Sequence, residues 1–443
     1  MGMKAYSPLF FIVLFLLSNL QLSAKGAETT MLQGRSDSAY RSTATVGYVI
    51  LNEKDSFAKQ VTGHPNTVFE IRYNYDLYNA IVRIPKGCTL LFRGGTLSRG
   101  TLIGTNTIID ADECQIFGGD LKLDGSFGNS DYYADWFGSI QIAVDLAGNN
   151  GGIVRLSPKT YRLNEPLVLS RCVSLIGSGN EGAYLEGKGT IITYSGQDAV
   201  VKLSGVSDAP AKNIIIKNLK IRGNGLNNKA GSNIGLYIGQ WAYYCKFENI
   251  SLYGCSSGVA IEKAWNLIFE QVNPYYCFNG FNLLKNISPL TTSSFVSCVA
   301  YSCKVGFNLA HDMNGVTLMS CGTDGCDTSM KLSSCYGVSV LSYTFENHTY
   351  GVYIDSPDCY VTFVGLSPRA YKDDSATHIK IDRVGGVTFT DMYISNATVP
   401  KKGLVVDVAR DSAAKVRFNN CVIKGKGRNL ETCTFSGNAV FEK

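Results

Sequence analysis

Apolar residues recur at one fixed phase along the second half of the 443-residue chain, each within a short run where apolar and polar positions alternate. Alternation of this kind predicts β-strands, because successive side chains of a strand point to opposite faces. The repeat comes every 22 to 29 residues, which is typical of a solenoid whose unit is one coil. This phenylalanine column consists of Phe247, Phe269, Phe295, Leu318, Val340, Phe363, Phe389 and Phe418.

Two more columns follow the same repeat. Stacked coils bring equivalent side chains to about 4.8 Å from each other. The columns therefore predict an all-β fold, a right-handed parallel β-helix, with a short N-terminal capping helix near residues 140–146. The glycine column reads Gly235, Gly258, Gly280, Gly306, Ser329, Gly351, His378 and Gly403, and the cysteine column reads Cys255, Cys277, Cys303 and Cys326.

The remaining sequence predicts the domain organisation. Lys4 followed by the apolar stretch from Pro8 to Leu22 and then small residues is typical of a secretory signal, which we place at residues 1–27. Residues 28–66 are expected to form a linker and lead-in. Short strands separated by glycine turns predict a small β-rich block over 67–130. The β-helix itself is expected over 131–443.

One segment carries a resemblance to a known family. It begins at Asp135-Trp136-Phe137-Gly138, continues through the predicted helix to Gly151-Gly152, and includes Pro158-Lys-Thr160-Tyr161 and Gly177-Ser-Gly179. This segment resembles the start of the β-helix in the pectate-lyase superfamily, which includes polysaccharide lyases, glycoside hydrolases and tailspikes. Many members have an acidic Asp-Asp-Thr element at the start of the helix, where this chain has Gly138-Ser-Ile-Gln-Ile-Ala.

Composition and charge narrow the choice of partners. The net charge is only +5 and no long basic run occurs, so nucleic acid is not expected as a partner. The predicted signal indicates an exported protein, periplasmic, cell-surface or secreted, with no membrane span after signal removal. The resemblance implies a polysaccharide substrate, and its tailspike members leave a homotrimer open as the assembly.

The 14 cysteines predict core packing more than cross-linking. Seven of them recur at positions where a small buried residue fits: Cys298, Cys321 and Cys421 point inward, and the four of the cysteine column lie at one corner of successive coils. We expect most of them to be free thiols, with disulfides between neighbouring coils as the alternative. A linear ladder of cysteines does not form a tetrahedral metal site.

The first candidate site combines aromatic and charged residues at one phase of successive coils. The faces of Trp241 and Trp265 suit sugar rings. Basic side chains beside them would face acidic sugars and move a proton. The residues assigned to this site are Trp241, Trp265, Glu262, Lys263, Lys285, His311 and Asp312. The alternative is a solvated face whose charges only maintain solubility.

The second candidate is a pair of carboxylates, Glu248 and Glu270, on neighbouring coils. Carboxylates about 5 Å apart suit a retaining glycosidase, and their mutual repulsion would favour the protonated form of one of them. Tyr275 and Tyr301 are expected to run alongside as substrate-binding residues. The alternative is a tolerated surface pair.

The third candidate is a column of carboxylates, Asp355, Asp382 and Asp407, near Arg383. Carboxylates in a column can hold calcium, the one cofactor the sequence suggests. The resemblance implies the chemistry of pectate lyases, in which calcium and a basic residue together remove a proton, although no family lyase motif surrounds Arg383. Solvated surface charges are the alternative.

These observations predict an exported carbohydrate-active enzyme that cleaves a complex or acidic polysaccharide by β-elimination or hydrolysis. The competing hypothesis is a non-catalytic glycan-binding or structural β-helix similar to tailspikes and adhesins. The fold does not decide between them, because one fold supports many functions.

Overall fold

The computed structural model describes residues 46–180, 188–284, 290–395 and 398–442. From Tyr48 onward the chain is one compact unit. It is a parallel β-solenoid of about 16 turns, so the predicted fold class is confirmed. The predicted signal at 1–27 and most of the predicted linker lie outside the described residues.

From residue 46 to 152 the described N-terminal part contains nine strands and two short α-helices, α1 (Phe57–Val61) and α2 (Ile140–Asn150). The helix α1 and the first strand lie within the predicted lead-in. The strands are β1 (Gly47–Ile50), β2 (Thr67–Ile71), β3 (Tyr75–Asp76), β4 (Ile81–Arg83), β5 (Thr89–Phe92), β6 (Leu97–Ser98), β7 (Gly100–Asp110), β8 (Leu121–Phe127) and β9 (Asp131–Tyr133).

The main solenoid contains the remaining described strands. Its first half comprises β10 (Ile153–Arg155), β11 (Thr160–Leu163), β12 (Leu167–Leu169), β13 (Ser174–Ile176), β14 (Ile191–Tyr194), β15 (Val201–Leu203), β16 (Ala211–Lys212), β17 (Ile215–Arg222), β18 (Ile234–Ile238), β19 (Ala242–Tyr243), β20 (Lys246–Tyr253), β21 (Ser257–Ile261), β22 (Ala264–Trp265), β23 (Ile268–Tyr275) and β24 (Asn279–Leu283).

The second half comprises β25 (Leu290–Thr291), β26 (Ser294–Val296), β27 (Val299–Tyr301), β28 (Val305–Leu309), β29 (Met313–Asn314), β30 (Thr317–Met319), β31 (Gly322–Asp324), β32 (Thr328–Leu332), β33 (Cys335–Leu341), β34 (Thr344–Glu346), β35 (Tyr350–Asp355), β36 (Cys359–Val364), β37 (Ser367–Pro368), β38 (Thr377–Arg383), β39 (Gly386–Thr390), β40 (Tyr393–Ile394), β41 (Leu404–Val408), β42 (Val416–Asn419), β43 (Val422–Lys424), β44 (Gly427–Arg428), β45 (Thr434–Ser436) and β46 (Val440–Glu442). The 3-10 helices that lie wholly within the described residues are Ala134–Trp136, Arg410–Lys415 and Leu430–Thr432.

One coil illustrates the repeat. The short strand β19 leads to a corner at Tyr244, the long strand β20 bends at Asn249, and a corner at Gly254 leads to β21. Equivalent strands of successive coils pair in parallel. The third strands of the coils form a continuous eleven-stranded sheet from β12 to β44.

The phenylalanine column forms in the predicted register. Phe247 pairs with Phe269, Phe269 with Phe295, and the column continues without interruption to Phe418. It extends one coil further, to Phe435. The rings of Phe247, Phe269 and Phe295 are fully buried. Stacked rings of this kind fill the interior of each coil and align it with the next.

The glycine column is correct except at its last member. Thr377 pairs with Leu404 and Ile379 with Val406, so Val405, not Gly403, lies opposite His378. The predicted register is therefore two residues off in this coil: the step from His378 to Val405 is 27 residues, whereas the prediction placed Gly403 at a step of 25. This shift affects the predicted calcium site.

The corners are formed mostly by non-glycine residues in the left-handed conformation. Tyr244, Asn266 and Thr292 occupy one corner of three successive coils with φ of 56°, 52° and 49°. A second column of left-handed residues lies at the bend within the long strands and includes Asn249 and Gln271. Asparagine tolerates this conformation better than most residues. The side-chain amide of Asn249 also donates to Asn218 Oδ1 of the preceding coil at 3.1 Å.

The helix α2 forms where the sequence predicts one. Ser139 caps it by accepting a hydrogen bond from the Gln141 N–H, and Gly151 follows its end with φ of 71°. Its buried face contacts strands on both sides in the chain, β8 and β9 before it and β10 and β12 after it. Among the described residues, no helix is long and apolar enough to cross a membrane.

Candidate functional site

A line of exposed and half-buried side chains runs along the solenoid at one phase of the short strands. Each member directly follows a buried residue, so each points outward. Strand register links the first five members, and the Cys335–Cys359 pairing places the sixth opposite the fifth. We call this line the aromatic column; it consists of Tyr243, Trp265, Thr291, Asn314, Tyr336 and Tyr360.

The first aromatic pair is Tyr243 and Trp265, whose ring centroids lie 6.0 Å apart in an edge-to-face arrangement. Tyr244, 61% exposed, extends the patch around the corner and contacts Tyr243 edge-to-face at 5.6 Å. Trp241 lies 5.6 Å from Trp265, so the two predicted tryptophans do meet. The patch is an amphipathic surface of the type that stacks on sugar rings.

Lys263 occupies the face of Trp241. Its ammonium lies 3.8 Å from the centroid of the Trp241 ring and 5.5 Å from that of Trp265. A cation over an aromatic face is an attractive contact in its own right. Of the two rings, Trp265 is the less covered by Lys263, which helps to hold both tryptophans in place.

Glu262 lies beside the tryptophans but is engaged by Tyr237. Burial and the hydrogen bond between the two side chains raise the pKa of Tyr237 to about 12. Tyr237 therefore stays protonated at neutral pH and can donate to Glu262. We therefore assign Glu262 a supporting role, as the hydrogen-bond partner of Tyr237.

The second aromatic pair, Tyr336 and Tyr360, was missed by the sequence analysis. The two rings stack with centroids 5.8 Å apart at 21° and are 44% and 48% exposed. The signal was available, since both residues have the same phase as Tyr243 and Trp265. It was overlooked because Thr291 and Asn314 separate the two pairs.

The two predicted carboxylates form a trio with a lysine. Glu248 and Glu270 lie directly opposite each other on β20 and β23, as predicted. Lys246 Nζ lies 2.8 Å from Glu248 Oε2 and 3.0 Å from Glu270 Oε2. Although burial opposes it, these hydrogen bonds raise the pKa of Lys246. The ammonium offsets the mutual repulsion on which the predicted acid role of this pair depended.

A shallow groove of about 450 Å³ lies between the aromatic column and this trio. It follows the left-handed corner across three coils. Its lining includes Tyr244, Lys246, Asn266, Ile268, Thr292 and Ser294. Two of the candidate sites predicted separately are thus adjacent faces of the same coils.

Tyr275 and Tyr301 stack almost perfectly parallel, with centroids 4.8 Å apart at 4°. The prediction that they run alongside Glu248 and Glu270 is wrong. They lie beyond the bend at Gln271 and therefore on a different face. Burial, with a smaller effect of Tyr301, raises the pKa of Tyr275 to about 12. The pair belongs to the next face of the solenoid.

The remaining members of the first candidate site lie further along the axis. Ala264 pairs with Leu290 and Leu290 with Met313, so Asp312 lies two coils, about 10 Å, from the level of Lys263. Asp312 is exposed and His311 half-buried. Lys285 lies outside the described residues.

The predicted calcium column does not form. Asp355 pairs with Arg383 across a register shift, and Asp407 lies opposite Lys380, not Asp382. Each carboxylate is paired with a cation, in the ion pairs Asp355–Arg383, Asp382–Lys380 and Asp407–Arg428. In the described part of the chain, no group of three or more His, Cys, Asp or Glu could hold a metal ion.

A cleft of about 850 Å³ at the start of the solenoid was not predicted. Asp135 lies in its wall and is bound by Lys159, Ser157 and, at 3.1 Å, the hydroxyl of Tyr161. Although burial opposes it, these donors lower the pKa of Asp135. Since the carboxylate is surrounded by donors of its own chain, this network ties the Asp135-Trp136-Phe137-Gly138 turn to β11.

Comparisons with known proteins give no family assignment beyond the fold. No protein-family model and no curated protein matches the sequence. Similar solved structures include the gp42 tailspike of Acinetobacter phage vb_AbaP_AS12, 15% identical with a TM-score of 0.48 over 71% of this chain and 61% of the tailspike. This chain therefore spans less than two thirds of the tailspike's length.

Two enzymes are similar to the same extent. The DFA-IIIase of Arthrobacter chlorophenolicus A6 in complex with GF2 is 11% identical, with a TM-score of 0.49 over 70% of this chain and 93% of the enzyme. The polygalacturonase of Erwinia carotovora ssp. carotovora is 14% identical, with a TM-score of 0.44 over 68% and 93%. This chain is a parallel β-helix protein. At these levels of similarity the comparisons carry no argument about its activity.

Proposed function

We propose that the protein binds a polysaccharide along the aromatic column. The observation that carries the proposal is the placement of two aromatic pairs, Tyr243–Trp265 and Tyr336–Tyr360, on one line parallel to the axis. Tyr336 and Tyr360 are exposed, Tyr243 and Trp265 are half-buried, and aromatic clusters at a protein surface are typical of binding sites. A polymer of similar units requires contacts repeated along a line, and this column supplies them.

The spacing favours a chain of several sugars over a single sugar. Trp265 and Tyr336 are three coils apart, about 14 Å, and the column from Tyr243 to Tyr360 covers about 24 Å. Between the pairs, Thr291 and Asn314 offer a hydroxyl and an amide that can hydrogen-bond to sugar hydroxyls. The column thus offers stacking contacts at its two ends and polar contacts between them, which suit the ring faces and hydroxyls of an extended glycan.

Cleavage of the bound glycan is the second candidate function. Glu248 and Glu270 bind the same Lys246 Nζ, so their bound carboxylate oxygens lie no more than about 6 Å apart, a limit that includes the separation of about 5–5.5 Å found in retaining glycosidases. Glu248 and Glu270 lie across the groove from the aromatic column. An acid role would require Lys246 to leave one of the carboxylates when substrate binds.

Product analysis separates the two candidates. New reducing ends indicate hydrolysis, unsaturated uronide products indicate β-elimination, and neither indicates binding alone. If Glu270 takes part in hydrolysis, Glu270→Gln should lower turnover more than affinity. Export also remains part of the proposal, on the grounds of the apolar stretch from Pro8 to Leu22.

Binding should depend on both aromatic pairs. A panel of neutral, acidic and amino polysaccharides is screened by calorimetry, and variants are then titrated with a glycan that the parent binds. Trp265→Ala and Tyr360→Ala should each weaken binding by about 1 kcal/mol or more, because each removes a stacking face. Tyr393→Ala is the matched control, since Tyr393 is exposed but lies on a different sheet. Unchanged affinity in both column variants, or no glycan bound by the parent, would contradict the proposal.

A further inference from the structure

Cys335 and Cys359 differ from the other buried cysteines of this chain. Every other buried cysteine donates its S–H to a main-chain carbonyl; Cys298, for instance, donates to Phe269 O at 3.5 Å, and Cys321 to Phe295 O at 3.3 Å. Within the described residues, the thiols of Cys335 and Cys359 hydrogen-bond to each other, with their sulfurs 2.7 Å apart. That separation is closer than two unbonded sulfurs ordinarily lie.

The backbone places the two residues for a covalent bond. Cys335 and Cys359 are direct partners on the paired parallel strands β33 and β36, and both are fully buried. Paired strands lie about 4.8 Å apart, within the Cα separations that a disulfide spans. The register of the two strands shifts immediately after this pair, between Cys335 and Val338. A cross-link here would fix the coils where the ladder of hydrogen bonds is interrupted.

We propose that Cys335 and Cys359 form a disulfide that fastens two neighbouring coils. The oxidant is a small-molecule or protein disulfide. One cysteine thiolate attacks it and forms a mixed disulfide with release of one thiol. The second cysteine then attacks that bond and releases the other thiol. The two cysteines lose two electrons and two protons, and the oxidant gains them as two thiols.

The exchange occurs while the coils assemble. In the folded protein both sulfurs are shielded from solvent, and the hydrogen bond to Cys335 together with burial raises the pKa of Cys359. A thiol held protonated and out of solvent does not attack an external disulfide. Once formed, the bond is inaccessible to reductants unless these coils open. It lies directly beneath the stacked pair Tyr336–Tyr360 and fixes the spacing of these two rings.

Peptide mapping tests the cross-link in the wild-type chain. The full-length protein is produced in a glutathione redox buffer, denatured, and treated with N-ethylmaleimide before digestion. We expect one cross-linked peptide pair containing Cys335 and Cys359, with the other 12 cysteines alkylated. Cys298 and Cys321 are the matched control: their side chains also interact at one phase of neighbouring coils, but each thiol in addition donates to a main-chain carbonyl. Complete alkylation of Cys335 and Cys359, or their linkage to other cysteines, would overturn the proposal.

A second measurement does not depend on mapping. Reduction of the denatured and refolded wild type should lower its thermal midpoint by several degrees relative to the oxidised form. Cys335→Ser should have the same thermal midpoint in the reduced and the oxidised condition, whereas Cys298→Ser should retain the difference that wild type shows. An equal difference in Cys335→Ser and wild type would place the reducible bond elsewhere and contradict the assignment. The outcome of these experiments is independent of glycan binding.

Discussion

Phe269→Ala is expected to lower the free energy of unfolding by about 3–5 kcal/mol, the cost of removing a buried aromatic ring. The ring lies between Phe247 and Phe295, with centroids 4.9 Å and 4.7 Å away, and meets Phe281 edge-to-face at 6.2 Å. The cavity cannot collapse easily, because the neighbouring rings are fixed by their own strands. Chemical denaturation followed by circular dichroism measures the loss.

The matched control for this variant is Phe278→Ala. Phe278 is 55% exposed and lies only nine residues along the chain, so its removal should change the free energy of unfolding by less than about 0.5 kcal/mol. A loss under about 1 kcal/mol for Phe269→Ala would show that the phenylalanine column does not carry the packing that aligns the coils.

Acidification should destabilise the protein through a buried histidine pair. His348 Nε2 lies 2.8 Å from His378 Nδ1, and His378 Nε2 lies 2.6 Å from Thr398 O. Since a carbonyl only accepts, His378 donates through Nε2 and accepts through Nδ1, and His348 therefore donates through Nε2. The Nδ1 of His348 is buried without a hydrogen-bond partner in the described residues. Both rings are thus held neutral.

The direction of the pH dependence follows from the low pKa of this pair. Burial, with a smaller effect of His378, lowers the pKa of His348 to about 3, against 6.5 for the ordinary side chain. Burial also lowers the pKa of His378. Between pH 6.5 and 3 the unfolded state therefore binds a proton at His348 that the folded state does not. The contribution of neutral His348 to the free energy of unfolding is fully present above about pH 6.5. It falls as the pH decreases, by about 1.4 kcal/mol per pH unit for this one histidine.

The histidine variant isolates this effect from the carboxylates. Gln at position 348 can still donate to His378 but does not titrate. Between about pH 6.5 and pH 4.5, His348→Gln should therefore lose about 2 kcal/mol less free energy of unfolding than wild type. Denaturation curves at a series of pH values measure it. His64→Gln, at an exposed histidine, should leave the slope unchanged. If His348→Gln has the same pH slope as wild type, His348 is not buried in neutral form.

The sequence predicted the parts of the fold that repeat strictly. The phenylalanine register was correct over eight coils because a buried ring must lie over another ring, and a shift of one residue would turn it outward. The cysteine column also has the predicted register, because the residues two positions before its members, Tyr253, Tyr275, Tyr301 and Asp324, are paired on successive coils. In the coil after His378 the register-matched residue is Val405, so assigning the nearby Gly403 gave the wrong register. The calcium column depended on that coil and was wrong.

The site was less predictable, because its chemistry depends on contacts between side chains of different coils. Phase alone placed Glu248 opposite Glu270, but it did not indicate that Lys246 binds both. Phase also brought Trp241 to Trp265, without showing that Lys263 covers the Trp241 ring. The left-handed bend at Gln271 separates Tyr275 from Glu270. Because no glycine marks this bend, the sequence analysis did not predict it. Tyr336 and Tyr360 could have been found by extending one column through Thr291 and Asn314.

The dependence of affinity on glycan length tests the central claim most directly. Fragments of a polysaccharide that binds are titrated in order of increasing length. If the aromatic column is the site, affinity should rise steeply once a fragment is long enough to bridge about 14 Å from Trp265 to Tyr336. The double variant Tyr336→Ala/Tyr360→Ala should abolish that rise while leaving the affinity of short fragments unchanged. Affinity that is independent of length, or a rise that persists in the double variant, would contradict the proposed binding line.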